Sequence, residues 1–395
     1  MFRNFLPFLV VLPATIYSLL SLWCGWRFFK GQGPRAKGQK ISAVTGPRTL
    51  DPGPCCGVTI LKPVKGIDEG SFDNFASFCC QQYDGPVQIL FAVAAEDDPV
   101  IPVIRQLQDD FPDRDIRLNI DPAIHGPNLK ISNLMNIFPL ARYDLLLICD
   151  SDIRVEPTFL ASVTAHFSNP RTGLVTSPYR TCQVHGTATA LEALGFTAEM
   201  VPNVVVALQL EGLSFALGAA MTFRRQALEE IGGLGSLVDY LADDYQLGNK
   251  IHRAGWELVL DRQFVESMVH AENIRGILSR QLRWARTMRV SRPGGYLASG
   301  VTLPGLAVLI VLAAGPLPWS LAAILLLYVV RSAVVTLFSR SLLKDRLLPK
   351  WGWLLPLRDL LASATWLCAF LGNSVQWRGQ RFRVLDNGKL EIIKK

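Results

Sequence analysis

Residues 144–152 read Asp-Leu-Leu-Leu-Ile-Cys-Asp-Ser-Asp, and the fold follows from this stretch. Leu145–Cys149 is a short, unbroken apolar run, the pattern of a strand buried on both faces. Working outward, similar runs recur at Val58–Leu61, Val87–Ala94 and Ile116–Ile120. Helix-like segments, for example Phe72–Gln82 and Val100–Phe111, separate the first three. Strands alternating with helices at that spacing predict an α/β domain over residues 55–300, built on a parallel, Rossmann-like sheet. In such sheets ligands sit beyond the carboxyl ends of the strands, so the residues just after each strand carry the chemistry.

After the first strand comes Lys62-Pro-Val-Lys65-Gly66, after the second Ala95-Glu96-Asp97-Asp98-Pro99, and after the fourth Asp150-Ser151-Asp152. Carboxylates thus gather at the ligand edge. An acidic pair two residues apart at a strand end lets one side chain point to a ribose while the other meets a cation. Hard oxygen ligands suit Mg²⁺ or Mn²⁺, which in turn hold a diphosphate. Asp is also common in solvated turns and helix caps, and it is the position after a buried strand that favours the chemical reading. Further on, Leu241-Ala-Asp243-Asp244-Tyr245-Gln-Leu-Gly248 opens a helical segment with paired carboxylates. Arg280-Gln-Leu-Arg283-Trp284 lies in a helix-like run that continues through Arg286 and Arg289. Arg280, Arg283 and Arg286 are spaced to share a helix face, to which lipid head groups are an alternative partner.

Half of the 395 residues are apolar and 18% are charged. Soluble domains carry roughly 25% charged residues, so the balance leans toward a membrane and excludes disorder as the main state. Forty Lys and Arg against 33 Asp and Glu give a net charge of +7. That is too little to imply nucleic acid, and no basic stretch is interleaved with aromatics. An anionic membrane surface or a phosphate-bearing substrate fits better. Eight cysteines include none in C-x-x-C. The adjacent pairs Cys55–Cys56 and Cys79–Cys80 read as free thiols, and no structural metal is expected. The histidines, His270 among them, show no metal-ligand spacing.

Phe5–Trp26 has no charge and is long enough to span a bilayer. Trp23, Trp26 and Phe28, then Arg27, Lys30, Arg35, Lys37 and Lys40, read as an interfacial belt facing the cytoplasm. The segment 1–30 is therefore expected to be a retained anchor, followed by a basic linker over 31–54. Val301–Val330, broken by Pro316 and Pro318, reads as two short spans with a tight turn or one long kinked one. Trp353–Val375 contains Arg358 and Asp359. An adjacent ion pair inside a span is expensive, so this piece is expected to begin as an interfacial helix. Cations at 340–350 and in the tail at 376–395 (Arg378, Arg381, Arg383) both belong in the cytoplasm. A re-entrant or surface-lying segment within 301–375 reconciles them. Phe196–Leu217 is unusually apolar for a soluble loop and reads either as a membrane-docking or lipid-entrance segment or as a core helix. Phe215–Arg225 and Glu230–Gly235 read as a strand and a glycine-ended helix.

The ordered set KPVKG, D-D-P, D-S-D, A-D-D-Y and R-x-x-R-W, followed by membrane segments, resembles the ceramide glucosyltransferase family (family 21 glycosyltransferases). It is similar as well to that family's bacterial hopanoid-linked N-acetylglucosaminyltransferases. The resemblance implies a membrane-bound inverting enzyme with a GT-A fold, a Rossmann-like mixed sheet flanked by membrane helices. It implies that Lys62 and Lys65 lie at the nucleotide edge and that Asp97 and Asp98 contact the uracil. Asp150 and Asp152 would meet the ribose and a metal-bound diphosphate, beside Asp243. Asp244 matches the catalytic base, and Arg280, Arg283 and Trp284 match the motif closing over diphosphate and acceptor. Asn128-Leu-Lys130-Ile-Ser-Asn133-Leu is similar to the family's K-x-x-N-L, which helps hold the nucleotide. One departure is Ala95, where relatives have an Asp, so the uracil contact falls to Glu96, Asp97 or main-chain groups.

Expelling a diphosphate needs a preorganised cation and donors, here Mg²⁺ or Mn²⁺ with arginines. The acceptor hydroxyl must lose a proton as it attacks, and a carboxylate base is worth about 10²–10⁴-fold. One displacement inverts the anomeric centre. The expected partners are a UDP-sugar and a membrane lipid, UDP-glucose with ceramide first and UDP-GlcNAc with a hopanoid polyol second. A processive polysaccharide synthase shares D-S-D and R-x-x-R-W but needs several long spans for a channel. A non-catalytic scaffold is opposed by the intact acidic set.

Overall fold

A computed structural model describes residues 2–30, 56–268, 273–377 and 380–393. The basic linker over 31–54, with Arg35, Lys37 and Lys40, lies outside the described residues, as do Cys55, His270 and Arg378. The chain opens with α1 (Phe2–Lys30), then β1 (Val58–Pro63), α2 (Ser71–Cys79), β2 (Val87–Val93), α3 (Ile101–Asp110) and β3 (Asp115–Ile120). Next come α4 (Leu129–Ile137), β4 (Leu145–Cys149), β5 (Ile153–Arg154), α5 (Phe159–Ala165), β6 (Thr172–Thr176) and β7 (Tyr179–Cys182). A helical run of α6 (Thr187–Gly195), a π-turn (Phe196–Met200) and α7 (Val201–Leu210) comes after β7. The chain returns through β8 (Ala220–Arg224), α8 (Arg225–Glu230), α9 (Asp243–Arg253), β9 (Glu257–Leu260) and β10 (Val265–Met268). It continues in α10 (Ile274–Ser291), α11 (Pro293–Ser299), α12 (Pro304–Ala314), α13 (Leu317–Phe338), α14 (Leu348–Trp351) and α15 (Leu355–Cys368). Three short strands finish it: β11 (Ser374–Trp377), β12 (Gln380–Val384) and β13 (Leu390–Ile392).

Two compact units result, one of residues 36–182 and 212–270, the other of 1–35, 183–211 and 271–395. They do not follow the single 55–300 block expected, because 183–211 and the helix carrying Arg280 belong with the terminal helices. Apolar content alone does not say with which partner a helix is buried.

The α/β unit holds a seven-stranded sheet in the order β3-β2-β1-β4-β8-β6-β9. The first four strands are parallel, as the helix spacing requires. β8 runs antiparallel to both β4 and β6, so the sheet is mixed, as the family resemblance implied, where the strand–helix spacing alone predicted parallel strands. An apolar run records burial but not direction, so this reversal left no mark in the sequence. β4 sits at the middle of the core. Leu145, Leu147 and Cys149 join the apolar cluster on one face, while Leu146 and Ile148 join that on the other. Each buried side chain of this kind is worth about 1.5–3 kcal/mol, and the period of two sends them to opposite faces. The strand expected over Phe215–Arg225 is confined to its last residues, and the expected Glu230–Gly235 helix is α8 ending at Glu230. Gly232 and Gly233, at φ 90° and 69°, turn the chain out of it.

In the helical unit α1 and α13 lie side by side and parallel. Phe8 meets Trp319 near one end, and Gly25 meets Phe338 near the other, where an added Cβ would lie 2.5 Å from the ring. The Val301–Val330 region resolves into α12 and α13, broken at Gly315–Pro316, and α13 is long rather than short. Among the described residues, four helical runs are long and apolar enough to cross a membrane: Arg3–Lys30, Thr187–Leu210, Leu317–Leu343 and Leu348–Leu371. Pro293–Thr302 and Pro304–Ala314 form a further pair bent by 59°. The protein is a multi-pass integral membrane protein.

Arg358 and Asp359 do not pair with each other, contrary to the reading that made this segment costly. Adjacent helical residues point about 100° apart. Asp359 takes both arms of Arg331 at 2.7 Å, and Arg358 reaches Glu199 at 2.7 Å and Gln281 at 2.9 Å. Gly195 makes room for the latter fork, since a Cβ there would lie 2.6 Å from the guanidinium.

Candidate active site

The parallel strands β1, β2 and β4 end at one edge of the sheet, and the acidic segments start there. Asp150 leaves β4 with its carboxylate 2.7 Å from Lys130 Nζ, which also lies 3.4 Å from Asp243. Lys130 is carried by α4, and α4 begins where it does because Asn128 caps it, accepting from the Ile131 N–H at 3.1 Å. The Asn128 amide donates in turn to the Tyr240 carbonyl (2.8 Å) and to Asp243 (3.4 Å). One capping residue thereby joins α4 to the start of α9. Burial alone would lower the Lys130 ammonium, but Asp150, Asp243 and Asp244 outweigh it and hold it above its usual range. It stays charged at any physiological pH.

Asp243 and Asp244 occupy the first turn of α9. Asp244 accepts from the Tyr245 N–H at 2.7 Å. Two glycines let its surroundings close in. A Cβ on Gly218 would lie 2.8 Å from the Asp244 carboxylate, and one on Gly248 would lie 2.4 Å from the main-chain nitrogen of Ala216. Burial, then the neighbouring Asp243 charge, raises the Asp244 carboxyl to about 6, with Lys130 and the Tyr245 N–H opposing the rise. A carboxylate poised near neutrality suits proton abstraction.

The structure distributes the other predicted residues unevenly. Lys62, expected at the nucleotide edge, is fully buried there. Its ammonium donates to the Asp150 carbonyl at 3.1 Å and sits over the Phe78 ring at 4.1 Å, so it supports the acidic turn from inside the core. Lys65 is exposed, and Asn133 is buried on α4. Asp98 accepts from the Gly66 N–H at 3.0 Å and the Val100 N–H at 3.0 Å, tying the loop after β1 to the start of α3. Of the D-D pair, Asp97 is exposed and Asp98 half-buried. Ser151 donates to Asp68 at 2.5 Å. Asp152 has Ser267 Oγ at 3.4 Å, and its carbonyl accepts from Met268 N–H at 2.9 Å.

Among the described residues, no three His, Cys, Asp or Glu side chains converge as a metal cage. Asp150 and Asp152 nevertheless offer hard oxygen donors at a partly open strand end. One or two carboxylates completed by phosphate oxygens are what Mg²⁺ and Mn²⁺ ordinarily take. The donor set fits such an ion.

The R-x-x-R-W motif lies on α10 in the helical unit. Arg280 is 2.8–2.9 Å from the buried Glu192. Arg286 donates to the Ser374 carbonyl, and Arg289 to Asn373. Arg280 and Arg286 thus take different partners within the protein, while Arg280 and Arg283 line one open depression. Its volume is about 430 Å³, and Arg275, Ser279 and Trp377 line it as well. Trp284 is partly exposed, its ring 6.1 Å from Phe196 of the π-turn. Sequence reasoning missed Asn128 and Glu192 as holding groups. An Asn directly before a helical run signals a cap, whereas nothing local marks Glu192 as the partner of Arg280.

A mixed sheet with an acidic cluster at its ligand edge, joined to membrane helices, defines a membrane glycosyltransferase with a GT-A-like catalytic domain. The model of glycosyl transferase family 21 matches residues 6–390, and the chain belongs to that family. It is 25% identical over 350 residues to ceramide glucosyltransferase 3 of Caenorhabditis elegans, covering 85% of this chain and 74% of that one. To ceramide glucosyltransferase 1 of the same organism it is 28% identical over 233 residues, 58% of this chain and 49% of that one. A mannosyltransferase from Pyrobaculum calidifontis, solved with GDP-Man and Mn²⁺, superposes with a TM-score of 0.55 at 16% identity. That match covers 93% of this chain and 98% of the other, and it shows the fold.

Proposed function

We propose that the protein transfers one hexose from a UDP-sugar to a lipid hydroxyl with inversion, UDP-glucose to ceramide being the first choice. The observation that carries this reading is Asp244, a shielded carboxylate with a pKa of about 6, held beside Lys130 and Asp150 at the edge where β4 ends. In the reaction the acceptor hydroxyl gives its proton to Asp244 as its oxygen attacks the anomeric carbon. Lys130 keeps Asp150 oriented and moderates the Asp244 basicity, and Lys62 fixes the acidic turn from below. A divalent cation held by Asp150 and Asp152 would offset the charge that grows on the departing diphosphate. For Arg280, Arg283 and Trp284 the reading keeps the diphosphate and acceptor roles that the family likeness implies. The names of the curated relatives favour ceramide over a hopanoid polyol with UDP-GlcNAc.

The test is a transfer assay on purified protein in detergent with Mn²⁺ or Mg²⁺. UDP-glucose, UDP-galactose and UDP-N-acetylglucosamine are crossed with ceramide and a hopanoid polyol, and products are resolved by mass. Hexosylceramide that disappears in Asp244→Asn supports the proposal. An N-acetylhexosaminyl hopanoid alone moves the activity to the second lipid, and absence of any lipid product overturns it.

A further inference from the structure

The helical runs long enough to cross a membrane do not all have the same connectivity. Thr187–Leu210 leaves the sheet domain after β7 and re-enters it before β8. β8 is hydrogen-bonded between β4 and β6, strands that precede the run. A single crossing would put halves of one sheet on opposite sides of the bilayer, so this run ends on the side where it began. Leu348–Leu371 has the same property by a separate route. It starts after α13 and ends at Asn373 and Ser374, which accept from Arg289 and Arg286 of α10. α10 follows the sheet domain directly and bears five arginines in 18 residues, too many to enter hydrocarbon. Both ends of Leu348–Leu371 are then on the sheet side, provided α13 also ends there.

It does. α1 leads into the sheet domain through residues 31–55, where Arg35, Lys37, Lys40, Arg48 and Asp51 leave no apolar stretch that spans. α13 is parallel to α1, with Phe8 at Trp319 and Gly25 at Phe338. The bent pair Pro293–Thr302 and Pro304–Ala314 makes the return crossing between them.

We infer that the chain crosses the membrane three times, at α1, at the bent pair and at α13. Thr187–Leu210 and Leu348–Leu371 each begin and end on the sheet side and lie along that leaflet without crossing. Packing within the helical unit agrees. Tyr17, midway along α1, donates to Asn203 of α7 at 2.6 Å. Arg331, past the middle of α13, holds Asp359 of α15 and reaches the Ala198 carbonyl at 3.4 Å. Gly305 at the start of α12 lies against Asp359, and Gly315 at its end lies against Pro7. Among the described residues, α7 and α15 thus meet the middle of α1 and the sheet-side half of α13, while α12 runs from Asp359 to Pro7 near the far end of α1. The partner of the non-crossing helices is the lipid of one leaflet, and the inference stands whichever sugar and acceptor the enzyme uses.

Introduced cysteines, each beside the retained Cys80, test it in full-length protein in sealed phosphatidylcholine vesicles. Every native cysteine except the exposed Cys80 is replaced, so that Cys80 reports the side of the sheet. A membrane-impermeant maleimide should label His185→Cys, Glu211→Cys, Lys350→Cys and Gln376→Cys in the same vesicles, and to the same extent, as Cys80. Arg3→Cys and Ala314→Cys should label in the opposite population, and with Cys80 only after detergent. Opposite labelling of 185 and 211, or of 350 and 376, overturns the inference. Because Glu211 pairs with Arg292, Leu210→Cys repeats that position without touching an ion pair. A failed transfer assay would leave these labelling patterns unchanged, which separates the two proposals.

Discussion

In the proposed reaction Asp244 is the base, and its two protonation states predict two opposite effects. As a base it works only when ionised, so lipid transfer should rise as pH passes through about 6 and level above it. Asp244→Asn should lower turnover by about 10²–10⁴-fold with donor affinity little changed, measured by kcat and KM on the lipid product. Its carboxyl is raised in the folded protein, so ionisation above pH 6 costs stability that the unfolded chain does not lose. The same Asp244→Asn should therefore raise the Tm at pH 7.5 and leave it unchanged at pH 4. Lys130→Met removes the cation shared by Asp150 and Asp243 and should destabilise by about 3 kcal/mol in a thermal unfolding measurement. It should also move the acid limb of the activity profile to higher pH, because Lys130 is what holds the Asp244 carboxyl down. The motif D-S-D and the A-D-D-Y carboxylates were visible in the sequence as candidates. That Lys62 is buried beneath the first and Lys130 joins both was not, since each contact spans a long stretch of chain.

At the scale of elements, α9 and the loop before β8 meet so closely that only glycines fit. Gly248→Ala places a methyl 2.4 Å from a main-chain nitrogen that cannot turn aside. Unfolding measurements should show a loss of about 1–3 kcal/mol. Gly235→Ala, whose Cβ would meet only the Met135 methyl at 3.9 Å, should be neutral and serves as the control. Gly218→Ala presses on the Asp244 carboxylate at 2.8 Å and should depress turnover more than stability. Strands β1 to β4 and helices α2 and α3 were legible to within a few residues, because apolar runs and turn residues are local signals. The antiparallel placement of β8 was not, because direction is set by where the preceding segment returns.

Across the whole molecule, buried charges hold the helical unit together. Arg331→Leu strands Asp359, whose side chain is 3% exposed, and should cost about 3–5 kcal/mol in thermal unfolding in detergent. Arg331→Leu with Asp359→Leu should recover most of that loss, since removing both charges also removes their desolvation. Chelation should abolish transfer, and Mn²⁺ or Mg²⁺ should restore it, with Asp152→Asn requiring more metal for half-maximal rate. The adjacent Arg358 and Asp359 looked prohibitive inside an apolar segment because a sequence displays neighbours along the chain, not across helices.

By itself the sequence determined the α/β class, the order of the acidic motifs and the apolar ends of the chain. These rest on local periodicity and on which residue comes after which strand. Tertiary structure alone decided that Lys130 bridges Asp150 and Asp243, that Glu192 holds Arg280, and that 183–211 belongs with the terminal helices. Each of those is a pairing of distant residues, and burial energy selects such a pairing only once the chain has closed around it.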